Sequence, residues 1–162
     1  MGGDKLKEFL IARPEEIKNG LCTDAYFLRT EEVLDGLSKN PQVVMELFTK
    51  SFPDENYHFG IVLGIYEVAK LLEGLPVDVY SMEEGEIFFP YEPVLQIRGK
   101  YRDFARYETA ILGFICFMSG IATKSARVRI AAGNKKIYSF GTRRQHPFLA
   151  PVVEYATYVS GF

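Results

Sequence analysis

The 162-residue sequence has no tryptophan, two cysteines and two histidines, and its charges nearly cancel. Each shortage removes a class of function. Cys22 and Cys116 are far apart, sit in apolar contexts and share no metal-ligand spacing. They are expected to be reduced, buried thiols in a cytoplasmic protein rather than a disulfide. His58 and His146 are too little material for a histidine-based zinc site. A formal charge of −2 supplies no overall basic field, so neither nucleic acid nor a membrane is expected as a partner. No charged-then-apolar leader opens the sequence. The longest apolar run, Ala110 to Ala122, is interrupted by Gly113 and Gly120 and is too short to span a bilayer, so it is expected to be a core helix.

What is present suits one sizeable globular core: 48% apolar and 25% charged residues, with 13 Phe and 10 Tyr for both core and stacking surfaces. A short helix is expected over Asp4 to Ile11. A second runs Pro14 to Lys18, with proline in its first turn, glutamates on its dipole and Asn19-Gly20 as the stop. Thr23 or Asp24 caps a helix reaching Leu37 and ended by Asn40-Pro41, with Tyr26 and Arg29 on one face. A strand over Gln42 to Ser51 and a polar loop lead to a helix over 59–72, stopped by Gly74. Short strands follow at Val77 to Tyr80, Glu86 to Phe89 and Val94 to Arg98, and Pro90 and Pro93 keep their stretch at an edge or crossing. Glu83, Glu84, Glu86 and Glu92 read as a solvated turn rather than a metal site. Tyr101 to Ser119 is helical, and Glu108 inside its apolar face requires a partner, with Arg98, Arg102 or Arg106 as candidates for a structural ion pair. Gly120 is expected to break this helix. Another follows over Ile121 to Ala132, with Thr123 or Ser125 near its start, a basic face of Lys124, Arg127 and Arg129, and Gly133-Asn134 at its end.

The stretch with most chemistry is Ser139-Phe140-Gly141-Thr142-Arg143-Arg144-Gln145-His146-Pro147. The pattern Lys136 to Phe140 predicts a strand before it, and Pro147 to Tyr158 predicts a helix after it. An aromatic, a hydroxyl and two guanidiniums then sit where a strand hands over to a helix, the place where α/β folds open a ligand crevice. Neighbouring arginines suit carboxylate or phosphate; a solvated surface turn is the alternative. If 142–144 stay extended, Arg143 and Arg144 point to opposite sides. The fold class expected is α+β, with a sandwich and its connecting helices over residues 1–133 and a single β/α unit over 134–162. A lone parallel strand cannot bury itself, so that unit is expected to belong to a fragment or to half of a two-part assembly.

Four stretches carry a resemblance: Thr23-Asp24-Ala25-Tyr26-Phe27-Leu28-Arg29-Thr30, Glu108-Thr109-Ala110-Ile111-Leu112-Gly113, Gly120-Ile121-Ala122-Thr123-Lys124 and Ser139-Phe140-Gly141-Thr142-Arg143-Arg144. In this order they resemble the amino-terminal part of the nicotinate phosphoribosyltransferases, and Pro90, Pro93 and Arg98-Gly99 also fit. The resemblance implies the type II phosphoribosyltransferase fold: an amino-terminal α/β sandwich followed by an irregular β/α barrel, of which only the first unit is here. It implies an enzyme of NAD biosynthesis that joins nicotinate to phosphoribosyl pyrophosphate, giving nicotinate mononucleotide and pyrophosphate. It further implies assistance by ATP and Mg²⁺, through a phosphohistidine that is not His146 and lies later than this sequence.

The same resemblance implies a homodimer or larger assembly with shared sites, or a separate barrel polypeptide as partner. Phe140 would form one face of a slot for the pyridine ring, and Tyr26 of a neighbouring subunit the other. Arg143 would hold the ring carboxylate or a phosphate, with a hydroxyl or backbone donor from Thr142. Arg29 and Arg144 are lesser candidates for phosphate. No catalytic residue or metal ligand is assigned within the 162 residues, which alone are expected to be inactive. Nicotinamide or quinolinate are the alternative substrates, and a non-catalytic module binding a small aromatic acid is the alternative function.

Overall fold

A computed structural model describes residues 11–162. The helix expected over Asp4 to Ile11 lies, except for its last residue, outside the described residues. Helix α1 (Pro14–Lys18) and helix α2 (Ala25–Gly36) form where the capping pattern places them. Pro14 fills the first turn of α1, while the Glu16 carboxylate accepts the Arg13 N–H at 2.8 Å. Asp24 is the N-cap of α2, yet its side chain makes no bond to its own helix. The carboxylate instead accepts the Thr109 hydroxyl at 2.9 Å, across 85 residues of sequence.

The main sheet has three antiparallel strands in the order β1-β5-β3: β1 (Gln42–Leu47), β3 (Val77–Ser81) and central β5 (Leu95–Lys100). Alternation along β5 sends Leu95, Ile97 and Gly99 to the core and Gln96 and Arg98 outward. The outer face is held by polar bonds. Gln96 Nε2 donates to Glu46 at 2.8 Å, Arg98 Nε donates to Gln96 at 2.8 Å, and the Arg98 guanidinium lies 4.9 Å from the Tyr80 ring centre. Strand β1 stops at Leu47, its last partner being Leu95, short of the expected Ser51.

The expected helix over 59–72 begins only at α3 (Ile65–Leu72). Before it, β2 (Gly60–Ile61) pairs with β4 (Ile87–Phe88), and Ile61, Val62 and Leu63 are buried. A short run that is apolar at every position reads equally as strand or helix, so periodicity alone does not separate the two. What decides is where its backbone bonds go. Val62 N–H donates to the Glu86 carbonyl at 2.9 Å, and Gly85 N–H donates to the Val62 carbonyl at 2.8 Å. Ile61 N–H donates to Thr123 Oγ1 at 2.8 Å, and Leu63 N–H donates to Ser119 Oγ at 2.9 Å; that hydroxyl returns its own hydrogen to the Leu63 carbonyl at 3.0 Å. Removing a hydroxyl here would leave buried backbone groups unpaired, at a cost of about 1–3 kcal/mol.

Ser119 and Thr123 belong to α5 (Glu108–Ala132), a 25-residue helix that runs straight through Gly113 and Gly120. The break expected at Gly120 is therefore absent, and Thr123 and Ser125 are buried mid-helix rather than near a start. Two helical glycines cost about 1 kcal/mol each. Burial of Ile111, Ile115, Met118 and Ala122 along one face outweighs that cost. The interruption comes earlier: α4 (Tyr101–Phe104) passes through a 3₁₀ turn, Ala105–Tyr107, before α5 begins. By length and composition the stretch Tyr101–Ala132 would suffice to cross a membrane, but this buried face makes it the central helix of the core.

The core lies between the β1-β5-β3 sheet and helices α3 and α5, with Val62, Val68, Ile97, Phe104 and Ile111 almost wholly enclosed. A second apolar cluster joins Leu63 and Ala122 to Ala156 of α6 (Ala150–Val159), and the Ser160 hydroxyl donates to the Ala122 carbonyl at 2.8 Å. Lys136 to Phe140, expected as a strand, pairs with no strand among the described residues. Residues 147–149 form a turn, so the last helix starts at Ala150 rather than Pro147. Both cysteines are free, but Cys116 is exposed on α5 and Cys22 is half-buried, so neither is the buried thiol expected. The basic face of α5 is used structurally. Arg127 donates to the Phe59 carbonyl at 2.6 Å and lies 3.7 Å from the Tyr57 ring centre, and Arg129 binds the Gly133 and Lys135 carbonyls that close the helix.

Candidate functional site

Phe140 opens the turn, and its ring is 71% exposed. Thr142–Arg144 wind into a 3₁₀ turn, with Arg144 N–H donating to the Gly141 carbonyl at 2.9 Å and Gln145 N–H to the Thr142 carbonyl at 3.2 Å. The strand-like alternation that would send Arg143 and Arg144 to opposite sides is thus absent. Both side chains are exposed, and neither has an ion-pair partner among the described residues. The turn is anchored by Glu154 of α6, which accepts the Ser139 hydroxyl at 3.2 Å and the Thr142 hydroxyl on the same carboxylate oxygen. Thr142 therefore has its hydroxyl hydrogen engaged internally. His146 is exposed, and its Nδ1 accepts the Phe148 N–H at 3.3 Å.

Tyr26, on the first turn of α2, is 52% exposed and packs its ring on Phe27 at 4.1 Å between centres, while Phe27 itself is buried. Its phenol feels the charges of Glu108, at the start of α5, and of Asp24. No arginine pairs with Glu108 among the described residues, against the expectation. Arg106 pairs with Glu31, Arg102 Nη2 lies 2.8 Å from Asp35, and Arg98 is held on the sheet face. Burial lifts the Glu108 carboxyl above the usual range; the Tyr26 hydroxyl pulls it back and the Asp24 charge adds to the rise. Burial and the Glu108 charge raise the Tyr26 phenol in turn. Arg29 is exposed and has no ion-pair partner among the described residues. Within the chain Tyr26 and Phe140 do not stack on each other, and Phe140 has no ring partner among the described residues.

Two side chains that matter here were not singled out from sequence in these roles: Thr109 as the partner of Asp24, and Glu154 as the anchor of the turn. Each acts through a contact distant in sequence, and neither leaves a local signal.

Glu84 ties α6 to the sandwich. One carboxylate oxygen accepts the Gly64 and Tyr66 N–H groups at 3.0 and 3.1 Å; the other accepts the Tyr155 hydroxyl at 2.7 Å. That bond, with burial behind it, pushes the Tyr155 phenol up to about 12 from 10.0. A folded-state value above the unfolded one means the contribution is complete below about 10 and is lost as pH rises toward 12. Tyr155→Phe is expected to flatten that part of the stability curve, read as urea midpoints against pH.

The mixed α/β architecture is shared with solved phosphoribosyltransferase structures. Nicotinate-nucleotide pyrophosphorylase from Pyrococcus furiosus superposes with a TM-score of 0.92 and 51% identity, covering 96% of this chain and 40% of that one. Human nicotinic acid phosphoribosyltransferase superposes with a TM-score of 0.78 at 23% identity, over 86% of this chain and 35% of that one, a likeness of fold alone. Residues 24–119 match the family described as quinolinate phosphoribosyl transferase, N-terminal domain, and the chain belongs to that family. Among curated relatives, nicotinate phosphoribosyltransferase pncB1 of Mycobacterium tuberculosis is 29% identical over 175 residues, covering 88% of this chain. The chain spans 38% of that relative's length.

Proposed function

We propose that the chain is the amino-terminal part of a nicotinate phosphoribosyltransferase, joining nicotinate to phosphoribosyl pyrophosphate to give nicotinate mononucleotide and pyrophosphate. The observation that carries this reading is the likeness to a curated nicotinate phosphoribosyltransferase over 88% of the chain; beside it stand the exposed side chains of Phe140, Arg143 and Arg144. Phe140 supplies one face of the pyridine slot, and Tyr26 of a neighbouring copy supplies the other. Arg143 takes the ring carboxylate or a phosphate, Thr142 offers its backbone, and Arg29 and Arg144 serve the phosphate side. A flat, electron-poor ring suits stacking between aromatics. The unpaired segment 136–140 and α6 form the first unit of an irregular β/α barrel, and turnover requires that barrel to be complete. The assembly is a homodimer or larger, acting in the cytoplasm.

Mg²⁺ and ATP are part of the family's expected chemistry. No group of three or more His, Cys, Asp or Glu side chains able to hold a metal occurs among the described residues. No step through Mg²⁺ or ATP is assigned to residues of this chain.

Quinolinate is the second reading, favoured by the description of the matching family. Its extra carboxylate must leave as CO₂ if the same mononucleotide is formed. Offering the complete enzyme nicotinate or quinolinate with phosphoribosyl pyrophosphate separates the two. The primary reading expects product from nicotinate with no CO₂; turnover of quinolinate alone, with CO₂ release, overturns it.

A further inference from the structure

Phe140 and Arg143 stand on a turn whose preceding segment, residues 136–140, pairs with no strand among the described residues. What fixes the turn comes from α6. One oxygen of the Glu154 carboxylate accepts the Ser139 hydroxyl at 3.2 Å and the Thr142 hydroxyl as well. Those two residues bracket Phe140 and Gly141, so a single oxygen closes a loop around the residue that bears the ring. The Gly141 backbone lies so near α6 that an added methyl would meet Val153 at 3.3 Å. The helix behind the carboxylate is itself seated. Val153 and Ala156 are buried, the Tyr155 hydroxyl donates to Glu84 at 2.7 Å, and the Ser160 hydroxyl donates to the Ala122 carbonyl at 2.8 Å.

Glu154 binds hydroxyls of the turn and forms no ion pair with Arg143 or Arg144, so both guanidiniums keep their donors for an anion. An exposed ring on a loose loop loses conformational freedom when a ligand stacks on it; a loop tied beforehand loses less. We propose that Glu154 is a positioning residue that holds the Phe140–Arg143 turn in its binding conformation before the aromatic acid arrives. The inference rests on the reading of Phe140 as one wall of the pyridine slot. Glu154 acts through the hydroxyls of Ser139 and Thr142 and does not touch substrate.

The test is steady-state kinetics of the complete enzyme carrying Phe140→Ala, Glu154→Ala, Glu154→Gln, Tyr155→Phe, or Ser139→Ala together with Thr142→Val, with melting temperatures measured alongside. Loss of the anchoring bonds predicts that Glu154→Ala lowers kcat/KM for nicotinate about threefold to tenfold. Glu154→Gln keeps a carbonyl oxygen that can accept both hydroxyls and restores most of that loss. Ser139→Ala with Thr142→Val shows the same loss, and adding Glu154→Ala to it costs nothing more, because the three side chains act as one unit. Tyr155→Phe loosens α6 from the sandwich but leaves the turn tied, so the melting temperature falls while kcat/KM holds. If Phe140→Ala lowers kcat/KM while Glu154→Ala leaves it unchanged, the positioning role is wrong and the pyridine slot stands. If Phe140→Ala itself changes nothing, the slot is wrong and the inference goes with it. Losses for Glu154→Ala and Tyr155→Phe that both track a fall in melting temperature reduce Glu154 to a structural role.

Discussion

Gly64→Ala is expected to destabilise the protein by about 2–5 kcal/mol, summing the left-handed backbone penalty and overpacking. Gly64 holds φ at +98°, a conformation that L side chains rarely adopt. It is also the N-cap of α3, with its N–H fixed on Glu84 at 3.0 Å. A methyl group there would lie 2.9 Å from the Phe114 carbonyl oxygen and 3.0 Å from its carbon. Those are backbone atoms in the middle of α5, so no side-chain rotation relieves the clash. Moving α5 would in turn pull Ser119 and Thr123 from the backbone of residues 61–63. Gly120→Ala is the matched contrast: nothing lies within 4 Å of the added methyl, so it should stabilise by about 1 kcal/mol through helix propensity. Urea unfolding of the two variants should show midpoints moving in opposite directions. A Gly64→Ala midpoint equal to the unsubstituted one would mean that residues 62–64 do not pack on α5 as described.

That contrast shows which parts of the fold are legible in the residues. Pro14–Lys18, an α2 cap at Thr23 or Asp24 and the three short strands after residue 76 were readable because each carries its own signal within a few positions. Gly120 misled for a physical reason. A glycine raises the cost of a helix locally, but the apolar face of α5 extends beyond it in both directions and settles the outcome. Residues 60–63 misled in the opposite sense: their apolar run fits a helix, while their backbone groups are satisfied by hydroxyls more than 50 positions away.

The site divides in the same way. An exposed aromatic and two exposed guanidiniums at residues 140–144 were legible as residue types at a junction. The 3₁₀ winding of 142–144 was not, because Glu154 anchors it from the following helix. Glu108 was legible as a carboxylate requiring a partner. The absence of an arginine beside it was not, because the three that charge matching suggests are engaged by Glu31, Asp35 and the sheet face. With those cations committed elsewhere, no arginine balances Glu108, and burial lifts its carboxyl above the usual range.

Phe140→Ala and Arg143→Ala are expected to have the largest effects on function in the complete enzyme. Stacking of a flat ring on an aromatic is worth about 1–3 kcal/mol. Phe140→Ala should therefore lower kcat/KM for nicotinate about fivefold to 150-fold. The melting temperature should not move, because a ring that is 71% exposed carries little of the core. Arg143 separates two roles by which substrate suffers. If its guanidinium grips the ring carboxylate, Arg143→Ala costs nicotinate about 10-fold to 100-fold, leaves nicotinamide unaffected and narrows the selectivity between them. Arg143→Lys then recovers only part of the loss, because an ammonium keeps the charge but not the paired donors. If Arg143 serves a phosphate instead, the penalty falls on KM for phosphoribosyl pyrophosphate and is the same for either pyridine. Arg144→Ala run in parallel assigns the other guanidinium, since the 3₁₀ turn exposes both and alternation along a strand no longer tells them apart. Unchanged kinetics for Phe140→Ala and Arg143→Ala together would leave residues 139–147 as a solvated surface turn anchored by Glu154, and the pyridine would have to bind elsewhere.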